Sequence, residues 1–307
     1  SANDYHDIGQ SPALKAITEL SSDSELSILL GVFLLSLAKK SLSLVSFRLL
    51  LLKEPEKPAI DVLSTEITKE ERDNAIKDEY GAEYTADGLK LIHLPYYMKY
   101  YKIKDGTRVI GNEAFIWCTS LNSIAIPDSV TSIGDRTFGD CTSLTSIEIP
   151  DSVKKIGGGL LNGCHKLRTI VLKTSMYYIQ DSILYSKAKE IISCWSNNSN
   201  IIIPNGVTSI GNNAFSGCTS LTSIEIPDSV KSIENNAFYN CESLTSIEIP
   251  DSVKSIGYNA FRGCKSITSI EIPDSVKKIG GGIFNGCHRL RTIVLKTSMY
   301  YIQDSIL

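Results

Sequence analysis

Thr208-Ser209-Ile210-Gly211-Asn212-Asn213-Ala214-Phe215-Ser216-Gly217-Cys218-Thr219-Ser220-Leu221-Thr222-Ser223-Ile224-Glu225-Ile226-Pro227-Asp228-Ser229-Val230 is one unit of a pattern that recurs every 23 residues along most of this chain. Its apolar positions are fixed in every copy: Ile210, Phe215, Cys218, Leu221, Ile224, Ile226 and Val230 here. The Leu221-x-x-Ile224-x-Ile226 core predicts a short strand that points alternate side chains inward, with Pro227 ending it where no ladder donor is needed. One such unit cannot bury its apolar face alone, whereas stacked units can, so the period predicts a solenoid and not a single-core domain.

Working outward, three copies form a first block at 108–130, 131–153 and 154–176, and four a second at 208–230, 231–253, 254–276 and 277–299. Between the blocks, Ile183-Leu184-Tyr185-Ser186 and Glu190-Ile191-Ile192-Ser193-Cys194 flank Lys187-Ala188-Lys189, the pattern of a hairpin. The same pattern occurs from Tyr84 to Ile92, and Tyr300 to Leu307 repeats Tyr177 to Leu184 residue for residue. Hairpin-type coils are therefore expected near 82–107, 177–207 and 300–307. The stretches 151–184 and 274–307 differ at three positions only (Leu160/Ile283, Leu161/Phe284, Lys166/Arg289), so a 123-residue block has been duplicated. The wall opposite the strand, Asn213 to Cys218, reads as a short helical turn that drives Phe215 inward. Copies carrying Gly157-Gly158-Gly159 or Gly280-Gly281-Gly282 are expected to have a looser wall.

The recurring Ile-Gly-x-x-Ala-Phe-x-x-Cys-x-x-Leu-x-x-Ile-x-Ile-Pro of 210–227 resembles the BspA-type leucine-rich repeat proteins, and the likeness extends over about 82–307. The resemblance implies a right-handed leucine-rich repeat solenoid of α/β type with a parallel β-sheet on its concave side. It also implies a secreted or surface-exposed bacterial protein that binds host matrix or cell-surface proteins.

Residues 1–80 carry no copy of the repeat and read as a small, mainly helical N-terminal region, a cap or separate domain ahead of a solenoid at 81–307. They hold 14 acidic and 9 basic residues. Pro12 to Leu20 reads as a short helix, and Leu26 to Ala38 with Leu42 to Leu52 as a pair of buried apolar helices, with a strand the alternative for Leu42 to Leu49, where Leu42, Ser43 and Leu44 alternate. The uninterrupted apolar run ends at Lys39-Lys40, short of the roughly 20 residues a membrane span needs. Glu54-Pro55-Glu56-Lys57-Pro58 is a stiff connector, and Thr68 to Tyr80 a charged, solvated helix with Thr68 as N-cap. An end coil of a solenoid exposes apolar surface and a strand edge. The helices at 26–52 are therefore expected to cover the first coil near Leu89 to Tyr101.

With a net charge of -3 and 21% charged residues, the composition gives no footprint for nucleic acid. Seven of the eight cysteines recur once per unit (Cys118, Cys141, Cys164, Cys218, Cys241, Cys264, Cys287) between a buried Phe and a buried Leu, so they read as free, buried thiols. A row of that kind does not converge on a zinc ion. His165 and His288 are one position in the two duplicated copies and read as turn residues. Gly158 to Gly163 lacks the Lys and hydroxyl of a phosphate loop. No nucleophile, base and carboxylate stand in a catalytic pattern, so no enzyme and no cofactor is expected. Asn197-Asn198-Ser199 is a formal glycosylation sequon in a loop.

The candidate ligand-binding residues are the outward strand positions, Ser146 and Glu148, Ser223 and Glu225, Ser246 and Glu248, and Ser269 and Glu271. Glutamates in consecutive coils stack roughly 5 Å apart, each neighbouring pair costing about 1 kcal/mol in water. A basic protein surface or Ca2+ at these glutamates would relieve the cost, and so would solvent. Two functions follow: a non-enzymatic adhesin binding protein through the concave face, or a spacer presenting an active N-terminal segment for partner or membrane association.

Overall fold

The computed structural model describes residues 64–296 of the chain. The helices expected at 12–20, 26–38 and 42–52, the connector at 54–58 and the last hairpin start at 300–307 lie outside the described residues. Within them the chain is a stack of coils, each rising onto the next at matched positions 23 residues apart.

The expected strand is present. Ser223–Glu225, Ser146–Ile149 and Ser269–Ile272 each bury alternate residues, and Thr292–Leu295 half-buries Ile293 and Leu295 in the same alternation. Parallel pairing joins Ser146 to Thr169, Asn200 to Ser223 and Ser269 to Thr292, every partner at the same place in its coil. The sheet on this side is not continuous, however. It consists of two-stranded pieces, and Ser246 to Ile249 keep the in–out alternation while joining no ladder.

A second parallel ladder runs along another side, built from the two-residue strands Ser209–Ile210, Ser232–Ile233, Ser255–Ile256 and Lys278–Ile279. Ile210 pairs with Ile233, Ile233 with Ile256 and Ile256 with Ile279, all in register. Two residues are too few to show alternation, which is why periodicity points to the longer strand alone.

The third side is not the helical turn the sequence suggests. Asn213, Asn236 and Asn259 have φ near +55°, and Gly217, Asn240 and Gly263 are also left-handed, so each coil steps in and out of that region. Asn and Gly are the residues that tolerate it. The steps expose backbone groups to the next coil: the amides of Asn213, Phe215 and Gly217 donate to the carbonyls of Asn235, Ala237 and Tyr239 at 2.7–2.9 Å. All three sides are thus closed by backbone hydrogen bonds between coils. Inside, Phe215, Phe238, Phe261 and Phe284 stack with centroids 5.2, 5.5 and 6.2 Å apart.

The cysteine row lies in this interior, and all eight thiols are free and buried. Cys141, Cys164, Cys241, Cys264 and Cys287 each donate to the carbonyl of a Phe one coil back, at 3.1–3.2 Å. Each of these carbonyls already accepts the backbone amide three residues on, and the thiol of the next coil, a small apolar side chain with one weak donor, occupies its second acceptor position. Burial pushes the Cys118 and Cys164 thiols up to about 12.

The hairpin between the blocks forms as expected, with Tyr177–Gln180, Ile183–Ser186 and Glu190–Cys194 antiparallel. Its alternate side chains serve two cores. Ile183, Tyr185, Ile191 and Cys194 pack into the second block, and Leu184, Ile192 and Trp195 into the first. The glycine triplet beside it is the opposite of a loose wall. A Cβ on Gly158 would sit 1.8 Å from the Asn212 carbonyl, so only glycine lets the two blocks approach this closely. Asn162 then reaches across, donating to the carbonyls of Asn213 at 2.6 Å and Ser216 at 2.9 Å, while Ser193 donates to its side-chain oxygen at 2.8 Å.

At the other end, the helix spans Lys69–Asp73 only, with Thr68 and Glu71 forming a capping box. It stops at Asn74 and does not run to Tyr80, because Ile76–Lys77 instead pairs with Glu83–Tyr84 as the first strand of the hairpin sheet. That sheet repeats the inner hairpin down to its register shift, between Glu83 and Tyr84 here and between Leu184 and Tyr185 there. Residues 65–84 bind the first coil directly. Thr65 accepts the amide of Asn112 at 2.8 Å, and the buried Lys90 ammonium donates to Glu66 O at 2.8 Å and to Glu71 at 2.7 Å. Burial pushes the Glu71 carboxyl up, but Lys90 and the Thr68 hydrogen bonds outweigh it and hold it below its usual value. Tyr84 and Tyr101 share a 2.6 Å hydroxyl contact, and Tyr101 donates to Asp78.

Candidate functional site

The alternation of the long strands decides where the eight candidate residues point. Ile147, Ile224, Ile247 and Ile270 are buried, which turns Ser146 and Glu148, Ser223 and Glu225, Ser246 and Glu248, and Ser269 and Glu271 away from the core. The glutamates are all exposed, and the serines range from half-buried to exposed.

These residues do not form one group. Five of them, Glu225, Ser246, Glu248, Ser269 and Glu271 in the second block, border a groove of about 1240 Å³ that crosses their three coils and reaches Val294 and Lys296 in the next. Asp228 and Asp251 in the following turns also line it, and its middle is the unladdered stretch Ser246 to Ile249. Ser146 and Glu148 lie in the first block beyond the hairpin. There Glu148 shares a smaller hollow of about 500 Å³ with Lys102, Asp105, Asp128 and Lys173.

Charge divides them further. Lys173 sits 2.5 Å from Glu148, and Lys296 sits 2.6 Å from Glu271. Hydrogen bonding to these carboxylates holds both ammonium pKa values above the usual range. Among the described residues Glu225 and Glu248 have no such partner. The stacked repulsion expected across three coils is therefore concentrated on one adjacent pair. The two lysines escape a reading of the repeat because they stand where other copies end the strand with proline: Lys173 follows Pro150, and Lys296 follows Pro273, by one period. That replacement was the available signal.

Of the four serines, Ser223 ties its coil to the preceding one, donating to Asn200 at 2.8 Å. Among the described residues no three His, Cys, Asp or Glu side chains come together as a metal cage, because the glutamates lie in a row. His165 and His288 are exposed, at the turn following the core cysteine. Asn197 of the sequon is exposed in an irregular segment between two strands.

One further surface lies at the N-terminal end of the strand side. Tyr80, Tyr96, Tyr97 and Tyr100 are each more than half exposed. Tyr80, Met98, Tyr100, Lys102 and Ala125 border a groove of about 430 Å³ there.

Comparison with known proteins agrees with this architecture. The family model for the BspA type leucine rich repeat region matches residues 96–201 and 191–307, with six copies of the repeat. A leucine rich cell surface protein from Faecalibacterium prausnitzii A2-165 is 32% identical with a TM-score of 0.54, over 66% of this chain and 61% of that one. The pneumococcal vaccine antigen PcpA is 23% identical with a TM-score of 0.53, over 64% of this chain and 51% of its own. A leucine-rich repeat protein from Eubacterium ventriosum ATCC 27560 is 21% identical with a TM-score of 0.50, over 70% and 75%. The last two share the fold with this chain, and the chain spans less than two thirds of the first two. Among curated proteins none matches it. With the repeat, the coil geometry and a family model covering more than half of the sequence in agreement, the chain belongs to the BspA-type leucine-rich repeat family.

Proposed function

We propose that this chain is a non-enzymatic protein-binding module, secreted or displayed at a bacterial surface, that engages a basic patch of a partner protein through the long-strand side of its second block. The observation that carries this reading is the groove with Glu225, Glu248, Asp228 and Asp251 on its borders, its one lysine, Lys296, being paired with Glu271. Lysines neutralise the glutamates at Glu148 and Glu271, while Glu225 and Glu248 stand one coil apart without one. A partner's Lys or Arg side chains would remove that repulsion on binding, and the row arrangement suits several cations on one surface better than a single metal ion. The name of the Faecalibacterium relative, a cell surface protein, supports the location.

The test uses the full chain against immobilised extracellular-matrix and cell-surface proteins, comparing the parent with E225Q/E248Q. Binding should weaken in the double variant and fall with added salt. Unchanged affinity in the double variant defeats the groove as the site. Turnover of a substrate traced to this chain would defeat the non-enzymatic reading.

A further inference from the structure

The two hairpin coils of this chain provide an internal control for the tyrosine-rich end. At a constant offset of 100, Leu94 to Gly106 occupies the place of Cys194 to Gly206. The following strands Tyr100–Lys102 and Asn200–Ile202 pair with the next coil in the same way, Tyr100 with Ser123 and Asn200 with Ser223. In the loops before them Tyr97, Lys99 and Tyr100 are exposed as Asn197, Ser199 and Asn200 are, while Met98 is half-buried where Asn198 is exposed. The inner loop carries Ser196-Asn197-Asn198-Ser199-Asn200, whereas the outer one carries Tyr96-Tyr97-Met98-Lys99-Tyr100. The inner coil forms with small polar residues here, so the exposed rings of Tyr96, Tyr97 and Tyr100 and the Lys99 side chain are not needed to build this type of coil, whereas Met98 packs against the core. Tyr96 and Tyr97 are set edge to face, with centroids 5.8 Å apart.

Exposed tyrosines of this kind supply large contact area at little cost in side-chain entropy, the composition of a recognition surface. The groove bordered by two exposed tyrosines, Tyr80 and Tyr100, gives it a shape, and Met98 and Ala125 also line that groove. Charge gives it a preference. Lys99, Lys102 and Lys104 stand where the inner coil has Ser199, Ile202 and Pro204, so the cations occur in the same coil as the rings. Lys102 is held by Asp105 alone, at 3.3 Å with both side chains mostly in solvent, and an exposed pair of that kind is weak enough to exchange. We infer that the Tyr80–Tyr100 groove is a second interaction surface, one that takes an extended acidic polypeptide segment with an apolar anchor residue. The anchor would fill the groove between Met98 and Ala125, and acidic neighbours would meet Lys99 and Lys102. This surface is independent of the acidic groove in the second block.

The test follows from the internal control. In the full chain, Tyr96→Ser, Tyr97→Asn, Met98→Asn, Lys99→Ser and Tyr100→Asn together install the sequence that the inner coil already accommodates. A short labelled peptide of alternating Glu and Leu is titrated by fluorescence anisotropy against the parent, the graft and E225Q/E248Q. Vesicles of phosphatidylserine and phosphatidylcholine and an alternating Lys and Leu peptide serve as comparison probes. The expected result is binding of the acidic peptide, weakened by salt, reduced about tenfold or more by the graft and unchanged in E225Q/E248Q. Should the graft, which also removes the packing of Met98, lower the melting temperature, Y100N, which alters only the exposed ring on the groove rim, carries the same comparison. No binding of the acidic peptide, equal binding of the basic one, retention by both graft variants, or graft-sensitive binding of vesicles alone would each overturn the inference.

Discussion

Replacing Asn162 with alanine should loosen the joint between the two blocks, and the chain contains its own control, because Asn285 is the same residue in the duplicated copy. Asn162 is buried, donates to two carbonyls of the second block and accepts from Ser193. Asn285 is exposed. Of the three groups that lose a partner, the Asn213 carbonyl keeps the amide of Ser216 and the Ser193 hydroxyl keeps that of Leu161. Two losses near 1 kcal/mol and one approaching the cost of an unmet buried group give about 2–4 kcal/mol for N162A. The exposed N285A should cost less than about 0.5 kcal/mol. Urea unfolding followed by tryptophan fluorescence is the assay, because Trp195 is buried at the joint whereas Trp117 is exposed. The Trp195 transition should move to lower urea in N162A and stay in place in N285A. Equal shifts in the two variants, or no shift in N162A, would refute the account of the joint.

The glycine triplets should show the same asymmetry: G158A forces an alanine methyl onto the Asn212 carbonyl and should destabilise by more than about 2 kcal/mol, while at G281A the nearest atoms are 3.7 Å away and the cost should be small in equilibrium denaturation. Asp135 accepts the Gly158 amide as Asn112, Asn212 and Asn235 accept theirs one coil on, but burial raises its pKa. A carboxyl raised in the folded state is penalised once pH exceeds that raised value, and the penalty vanishes below the unfolded value. D135N should therefore raise the melting temperature at neutral pH and lose that advantage in acid; a gain that persists at low pH would contradict the cause given. Thiol titration should find little reaction in the native chain and eight free thiols after denaturation. Four or more disulfides by mass spectrometry would contradict the buried row.

The coil period, the inward strand residues, the hairpins and the free cysteines were all legible in the sequence, because each leaves an apolar mark at a fixed phase. Features that depend on contacts between coils left weaker marks. The Ser209–Ile210 ladder is too short for alternation to register, and the left-handed steps at Asn213 and Gly217 look like a helical turn when only burial of Phe215 is considered. Gly158 shows its purpose only when Asn212 is placed beside it. Of the candidate surface, the outward direction of Glu148 and Glu225 was readable from the strand period, but the difference between them was not. It is set by Lys173, a residue one coil away that replaces a strand-ending proline.

The hairpin that separates the blocks has a counterpart at 83–94 with the same register shift, and comparison of the two amounts to a rule of grammar. Where a hairpin must join, the residue facing the preceding block is Leu184, with Trp195 nearby. Where it opens the described array, the matching positions hold Glu83, salt-bridged to Lys77, and Pro95. With His93 in place of Ser193, which bonds Leu161 and Asn162 at the joint, three substitutions among these positions separate a conjunction from a capital letter. A gene built from such phrases can be lengthened by recombination at the hairpin without redesigning any interior, since each new block meets a surface already shaped for it. Reach then becomes a quantity that selection can adjust in whole-block steps, independently of what any one block recognises.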